Sequence, residues 1–160
     1  MAETAPGIGE KLLVCGLRET EDLGRRIASA LKTGDTVSLK GDLGAGKTTL
    51  ARAILRALGV TSEVPSPSFT LVQHYDTPGL KVAHYDFYRL ADPSEVDELG
   101  LEDAVKEGVA IVEWPERAPG RLGADVLEIH IEIVGEGDRA VQFSGPARWA
   151  HLFSGRRAQG

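Results

Sequence analysis

Gly41-Asp42-Leu43-Gly44-Ala45-Gly46-Lys47-Thr48 reads G-x-x-x-x-G-K-T, and Thr49 follows it. Three glycines let the backbone turn so that successive N–H groups face inward at phosphate oxygens. Lys47 then reaches the β- and γ-phosphates, and the Thr48 hydroxyl can ligate Mg2+. A helix starting here adds the partial positive charge of its N-terminus. The flanks carry the same reading. Before the loop, Thr36-Val37-Ser38-Leu39-Lys40 is a short alternating run that suits a strand. After it, Leu50, Ile54 and Leu58 recur four apart, Ala51, Ala53 and Ala57 lie between them, and Gly59 closes the pattern. That is an amphipathic helix with a C-terminal stop. A strand, a glycine loop and a helix in this order form a P-loop, so the expected ligand is a nucleoside triphosphate. Its candidate contacts are Leu43, Gly44, Ala45, Gly46, Lys47, Thr48 and Thr49.

The chain has 160 residues, enough for one domain with a real core. Residues 1–153 are expected to form it, with 154–160 as a disordered tail. The formal charge is −6. Proteins that grip nucleic acid by themselves show a basic excess, because affinity comes from neutralising phosphates. Any nucleic-acid role here is therefore expected to be indirect. Cys15 is the only cysteine, which excludes an internal disulfide and argues against a thiolate zinc site. Among Lys11-Leu12-Leu13-Val14-Cys15-Gly16-Leu17 it reads as a buried apolar thiol. Met1 to Glu10 shows no basic-then-apolar leader, and no apolar run approaches ~18 residues. A cytoplasmic location without membrane contact is expected.

Further elements follow from turn and cap residues. Lys11 to Leu17 reads as a strand, and Thr20 as the cap of a helix from Glu21 to Lys32. The order strand, helix, strand, loop, helix argues for an α/β fold. Phe69 to Tyr75 and Leu80 to Tyr85 flank the turn Asp76-Thr77-Pro78-Gly79, which predicts an antiparallel hairpin. Asp92-Pro93-Ser94-Glu95 is a helix start, with an Asp cap, Pro at the first position and Glu three residues on. A second short helix is expected over Leu101 to Lys106. Val109-Ala110-Ile111-Val112-Glu113 reads as a buried central strand ending in an acid. Leu127 to Val134 and Arg139 to Phe143 predict a second hairpin. The expected fold is thus a P-loop NTPase, with a mixed, mostly parallel central sheet, flanking helices and antiparallel hairpins.

Phosphoryl chemistry at a P-loop needs a second magnesium anchor and a group that orients water. Glu113 is the best-placed candidate, because ligands collect where strands of an open α/β sheet end. Asp86 is the second. In His84-Tyr85-Asp86-Phe87-Tyr88, strand alternation puts His84, Asp86 and Tyr88 on one face, which is then wet or functional. A salt bridge from Asp86 to Arg89 is the structural alternative. His74, His130 and His151 lack metal-ligand spacing and read as structural or surface residues. Trp114 and Trp149 read as core or rim. The chain contains no asparagine, so the Asn-Lys-x-Asp guanine reader of GTPases is absent and ATP is favoured over GTP.

Four blocks together resemble the TsaE (YjeE) family, small bacterial P-loop ATPases of tRNA threonylcarbamoyladenosine biosynthesis. They are Gly41 to Thr49, Ser66-Pro67-Ser68-Phe69-Thr70-Leu71-Val72, His84 to Leu90, and Glu113-Trp114-Pro115-Glu116-Arg117. The first is shared by many NTPases, whereas the other three in this order are far more specific. Ser68 stands where the family usually has Thr. The resemblance implies an ATPase that is feeble alone and works with the TsaB–TsaD pair, which modifies adenosine 37 of tRNA. It also implies that Thr48, Asp86 and Glu113 hold or orient Mg2+ and water, and that Lys47, Asp86 and Glu113 are catalytic. Thr20 and Arg139 would lie near the nucleoside or phosphates of ATP or ADP, with Trp114 beside the site. The tRNA would be handled by TsaB–TsaD. The competing reading is a small-molecule kinase, with Arg89, Arg117 and Arg121 clamping a second anionic substrate.

Overall fold

The computed structural model describes residues 11–123 and 125–153, the last three for their backbone alone. Residues 1–10, the expected tail at 154–160 and the side chain of His151 lie outside the described residues. Among the described residues there are seven strands: β1 (Lys11–Cys15), β2 (Thr36–Lys40), β3 (Val72–Thr77), β4 (Leu80–Asp86), β5 (Val109–Glu113), β6 (Val126–Gly135) and β7 (Asp138–Ser144). The helices are α1 (Gly16–Ala30), α2 (Lys47–Ala57) and α3 (Leu101–Glu107). Three-residue-per-turn helices cover Pro93–Leu99, Pro115–Arg117 and Ala147–Phe153.

The strands form one sheet in the order β1-β7-β6-β2-β5-β4-β3. Its centre is parallel, with β6, β2, β5 and β4 side by side. Both flanks are antiparallel, through the β3–β4 and β6–β7 hairpins and the β1–β7 edge. The expected mixed sheet is therefore present, and the hairpins are what make it mixed.

Each sheet face buries its own core. On one face Val37, Leu39, Val82, Val109 and Ile111 pack with Ile27 of α1 and with Leu50 and Ile54 of α2. On the other, Ala83, Tyr85, Ala110 and Val112 pack with Val96, Leu101 and Ala118. Strand alternation divides neighbours between the two. Gly24 lets α1 and α2 touch, since a Cβ there would lie 2.6 Å from the Ala53 Cβ.

Three local expectations change. The first helix begins one turn earlier than expected, at Gly16, and Thr20 lies inside it, donating its hydroxyl to the Gly16 carbonyl. Glu19 Oε1 accepts the Cys15 N–H at 2.7 Å, so a glutamate and not a threonine tends this helix start. Cys15 is exposed instead of buried. At an edge strand it sits opposite Asp138, whose carboxylate accepts the thiol hydrogen and raises its pKa. Finally, the strand expected from Phe69 begins only at Val72, because Leu71 takes a left-handed conformation (φ 71°) that breaks the extended run.

The Asp92 start does form. Its carboxylate accepts the Ser94 N–H at 3.0 Å while Glu95 reaches back to the Ala91 N–H. The amide and hydroxyl of Ser94 hold the Asp92 carboxyl below its ordinary pKa.

Candidate functional site

Gly46 caps α2 with φ 108°, a conformation that an L side chain strains to adopt. The loop from Gly41 thus turns under the helix start and leaves Lys47 pointing inward, 5 % exposed. Lys47 Nζ donates to the carbonyls of Gly41 (2.7 Å) and Asp42 (2.9 Å) and lies 4.2 Å from the centre of the Trp114 ring. Burial lowers its pKa, and the charges of Glu113, Glu116, Asp86 and Asp42 partly oppose that shift.

The sheet register explains why two acids converge on this lysine. In the parallel β4–β5 ladder Asp86 is the partner of Glu113, and His84 that of Ile111. Asp86 follows Val82 and His84 by even steps, and Glu113 follows Val109 and Ile111. All of them face α2. The face is apolar where the strands begin and turns polar where they end, beneath the P-loop. Asp86 is 5 % exposed and Glu113 2 %.

Glu113 accepts from the Thr48 hydroxyl on both oxygens, at 2.9 and 3.0 Å, and His84 Nε2 lies 2.7 Å from its Oε2. Asp86 Oδ1 accepts the Tyr88 N–H at 2.9 Å, and Ser66 Oγ stands 3.4 Å from Oδ2. Burial raises the Asp86 pKa, and the nearby Glu113 charge adds to it against the Tyr88 amide. The alternative Asp86–Arg89 salt bridge does not form; Arg89 instead lies over the Phe69 ring at 4.4 Å.

Two strained residues frame these acids. Trp114, directly after Glu113, has φ 59°, and the Leu71 carbonyl that accepts the Asp86 N–H belongs to the other left-handed residue. Such conformations cost about 1–3 kcal/mol each and gather where geometry is held for function.

Two crevices meet at Gly46 and Thr49. One, of about 410 Å³, is lined by Lys47, Thr48, Ser66, Asp86, Glu113 and Trp114. The other, of about 220 Å³, runs between Leu17, Thr20, Leu50, Ile131 and Arg139. Arg139 also braces the P-loop, donating from Nε to the Ala45 carbonyl at 2.8 Å. Larger depressions of about 500 and 620 Å³ share no residue with the loop. The structure therefore gathers Lys47, Thr48, Asp86 and Glu113 around one crevice, and Thr20, Thr49 and Arg139 around its neighbour. Leu43 stands at the rim, 66 % exposed.

Among the described residues no cluster of His, Cys, Asp and Glu has a metal-cage arrangement. Thr48, Asp86 and Glu113 nevertheless form an all-oxygen set of the kind magnesium takes together with waters and phosphate oxygens. Strand alternation places His84 beside Asp86 but gives no sign of its contact with Glu113. Trp114 lies beside the site as the resemblance implies, but no residue-type signal announces its left-handed backbone. No helix among the described residues is long and apolar enough to cross a membrane.

Comparison with known proteins converges on one family. The family described as "Threonylcarbamoyl adenosine biosynthesis protein TsaE" matches residues 15–141. A relative from Bacillus subtilis called tRNA threonylcarbamoyladenosine biosynthesis protein TsaE is 38% identical over 127 residues, 79% of each chain. One of the same name from Rickettsia felis is 38% identical over 129 residues, 80% of this chain and 75% of that one. The crystal structure of YdiB from Bacillus subtilis superposes with a TM-score of 0.78 at 30% identity, covering 94% of both chains. With the P-loop, the acids behind it and a family match running from Cys15 into β7, the chain belongs to the TsaE family.

Proposed function

We propose that this protein binds and hydrolyses ATP as a subunit of the machinery that makes N6-threonylcarbamoyladenosine in tRNA. It acts in the cytoplasm as a single domain over residues 1–153, together with TsaB and TsaD. The relatives' names support the pathway, and one observation carries the ATPase reading. Thr48, Glu113 and Asp86 come from three separate elements and meet at one P-loop crevice.

In this reading the loop amides and Lys47 bind the β- and γ-phosphates, releasing the lysine from the Gly41 and Asp42 carbonyls. The apolar crevice beside Thr20 and Arg139 takes the nucleoside. Magnesium would supply neutralisation of the negative charge on the transferring phosphoryl group. Thr48, Asp86 and Glu113 would hold it or its waters. Glu113 and Asp86 orient the water that attacks the γ-phosphorus, giving ADP and phosphate. Trp114 covers the lysine and limits access of bulk water. The acidic chain leaves the tRNA to its partners.

The test mixes this protein with ATP, Mg2+ and the TsaB–TsaD pair. Phosphate release is expected to exceed that of the protein alone, and absence of stimulation overturns the partnership. Lys47→Ala should weaken nucleotide binding by several charge-assisted contacts, each about 1.5–3 kcal/mol, measured calorimetrically. Unchanged affinity would exclude this loop as the binding element. The kinase alternative gains no support from the three arginines. Arg117 lies over Tyr88, Arg121 pairs with Asp97, and of the three only Arg89 lines the phosphate crevice.

A further inference from the structure

His84 is wholly buried, yet its ring does something no hydrocarbon could. Nε2 lies 2.7 Å from Glu113 Oε2, while Nδ1 has no hydrogen-bond partner among the described residues. An ionised carboxylate only accepts, so Nε2 carries the hydrogen and donates it. An unpartnered ring nitrogen has lost its water without replacement, which disfavours imidazole over an apolar side chain of similar shape. What imidazole adds at this position is its hold on one oxygen of Glu113.

The register gives that hold a direction. His84 sits opposite Ile111, two residues before Glu113, so the ring reaches forward along the sheet to the carboxylate. Thr48 meets the same carboxylate from the P-loop side. Asp86 is fastened separately, by the Tyr88 amide and Ser66. If the Thr48 hydroxyl turns to a cation, Glu113 keeps one fixed neighbour, His84.

We propose that His84 is a positioning residue whose Nε2–H fixes the Glu113 carboxylate at the phosphate end of the P-loop, an inference that rests on the ATPase reading above. Hydrogen-bonded neighbours of metal-site ligands commonly change metal affinity or activity about 10–100-fold when removed.

The experiment compares wild type, His84→Phe, which keeps a ring without the donor, and His84→Gln, which keeps an N–H. Calorimetry measures binding of the non-hydrolysable imido analogue of ATP with and without Mg2+. His84→Phe is expected to lose about 10–100-fold of the magnesium-dependent gain in affinity. Without Mg2+ it should bind as wild type does. His84→Gln should recover most of the loss, and in a Glu113→Gln background His84→Phe should add nothing further. Phosphate release should follow the same order, with kcat falling more than KM changes. Wild-type magnesium dependence in His84→Phe overturns the proposal, as does equal damage in both variants or an equal loss without magnesium. A wild-type protein lacking any magnesium dependence overturns the ATPase reading, and this proposal with it. Should His84→Phe fail to unfold cooperatively, the imidazole 15N spectrum of the wild type decides. The proton is expected on Nε2, with a resonance that moves in Glu113→Gln; a proton on Nδ1 alone overturns the assignment.

Discussion

The two ends of the central strands both bury acids, and they treat them differently. Just before β2, Asp35 is 5 % exposed, accepts the Lys32 N–H at 2.8 Å and meets Arg148 at 2.9 Å. Arg148 also reaches Asp125. At the far ends of β4 and β5, Asp86 and Glu113 are as deeply buried. Among the described residues neither has a lysine or arginine within ion-pair distance. Lys47 is close but spends its hydrogens on carbonyls. Buried acids without a cation are costly, and selection for stability alone tends to pair or remove them. One end is complete within the chain, and the other holds negative charge ready for a positive partner. This contrast is the physical ground of the magnesium reading.

The largest test of the contrast is catalytic. Glu113→Ala should cut partner-stimulated phosphate release by about 10²–10⁴-fold, whereas Arg148→Ala should leave it near wild type. Equal losses in the two variants would break the comparison. Arg148→Ala should act on stability instead. It leaves a buried carboxylate short of its partner, for about 1–3 kcal/mol and roughly 3–10 °C in Tm by calorimetry.

A smaller effect of opposite sign is expected at Asp86. Its pKa is raised in the fold, so its contribution to stability is present below the unfolded carboxylate value and lost as pH rises through the folded one. In EDTA and without nucleotide, Asp86→Asn should therefore melt higher than wild type near neutrality. The gap should close as pH falls below about 4. A gap that ignores pH would mean that packing, not charge, sets it. The smallest effect is at exposed Asp92. Its pKa is lowered, so its stabilisation is present above the unfolded value and lost as pH falls through the folded one. Asp92→Ala should lower Tm slightly at neutral pH and not at all in strong acid.

Much of this architecture could be read from residue order. Strand, glycine loop and helix identify β2 and α2, and the apolar run ending in Glu113 identifies β5, because these signals are local. The convergence of Asp86 and Glu113 needed the β4–β5 register, which no single stretch encodes. His84 illustrates the limit. Alternation put it on Asp86's face, but its link to Glu113 depends on a neighbouring strand offset by two residues. Cys15 misled for a similar reason, since an apolar neighbourhood does not reveal that β1 is a sheet edge. Thr20 is a good cap by type, yet Glu19 supplies the acceptor one turn earlier.

The missing side chain at Gly24 has a mechanical outcome. With α1 seated directly on α2, the wall bearing Thr20 and the wall bearing Lys47 stand on two helices in close contact. Any side chain at position 24 would have to push the two helices apart and carry Thr20 away from the loop, so the width of the cleft is set by a single hydrogen atom.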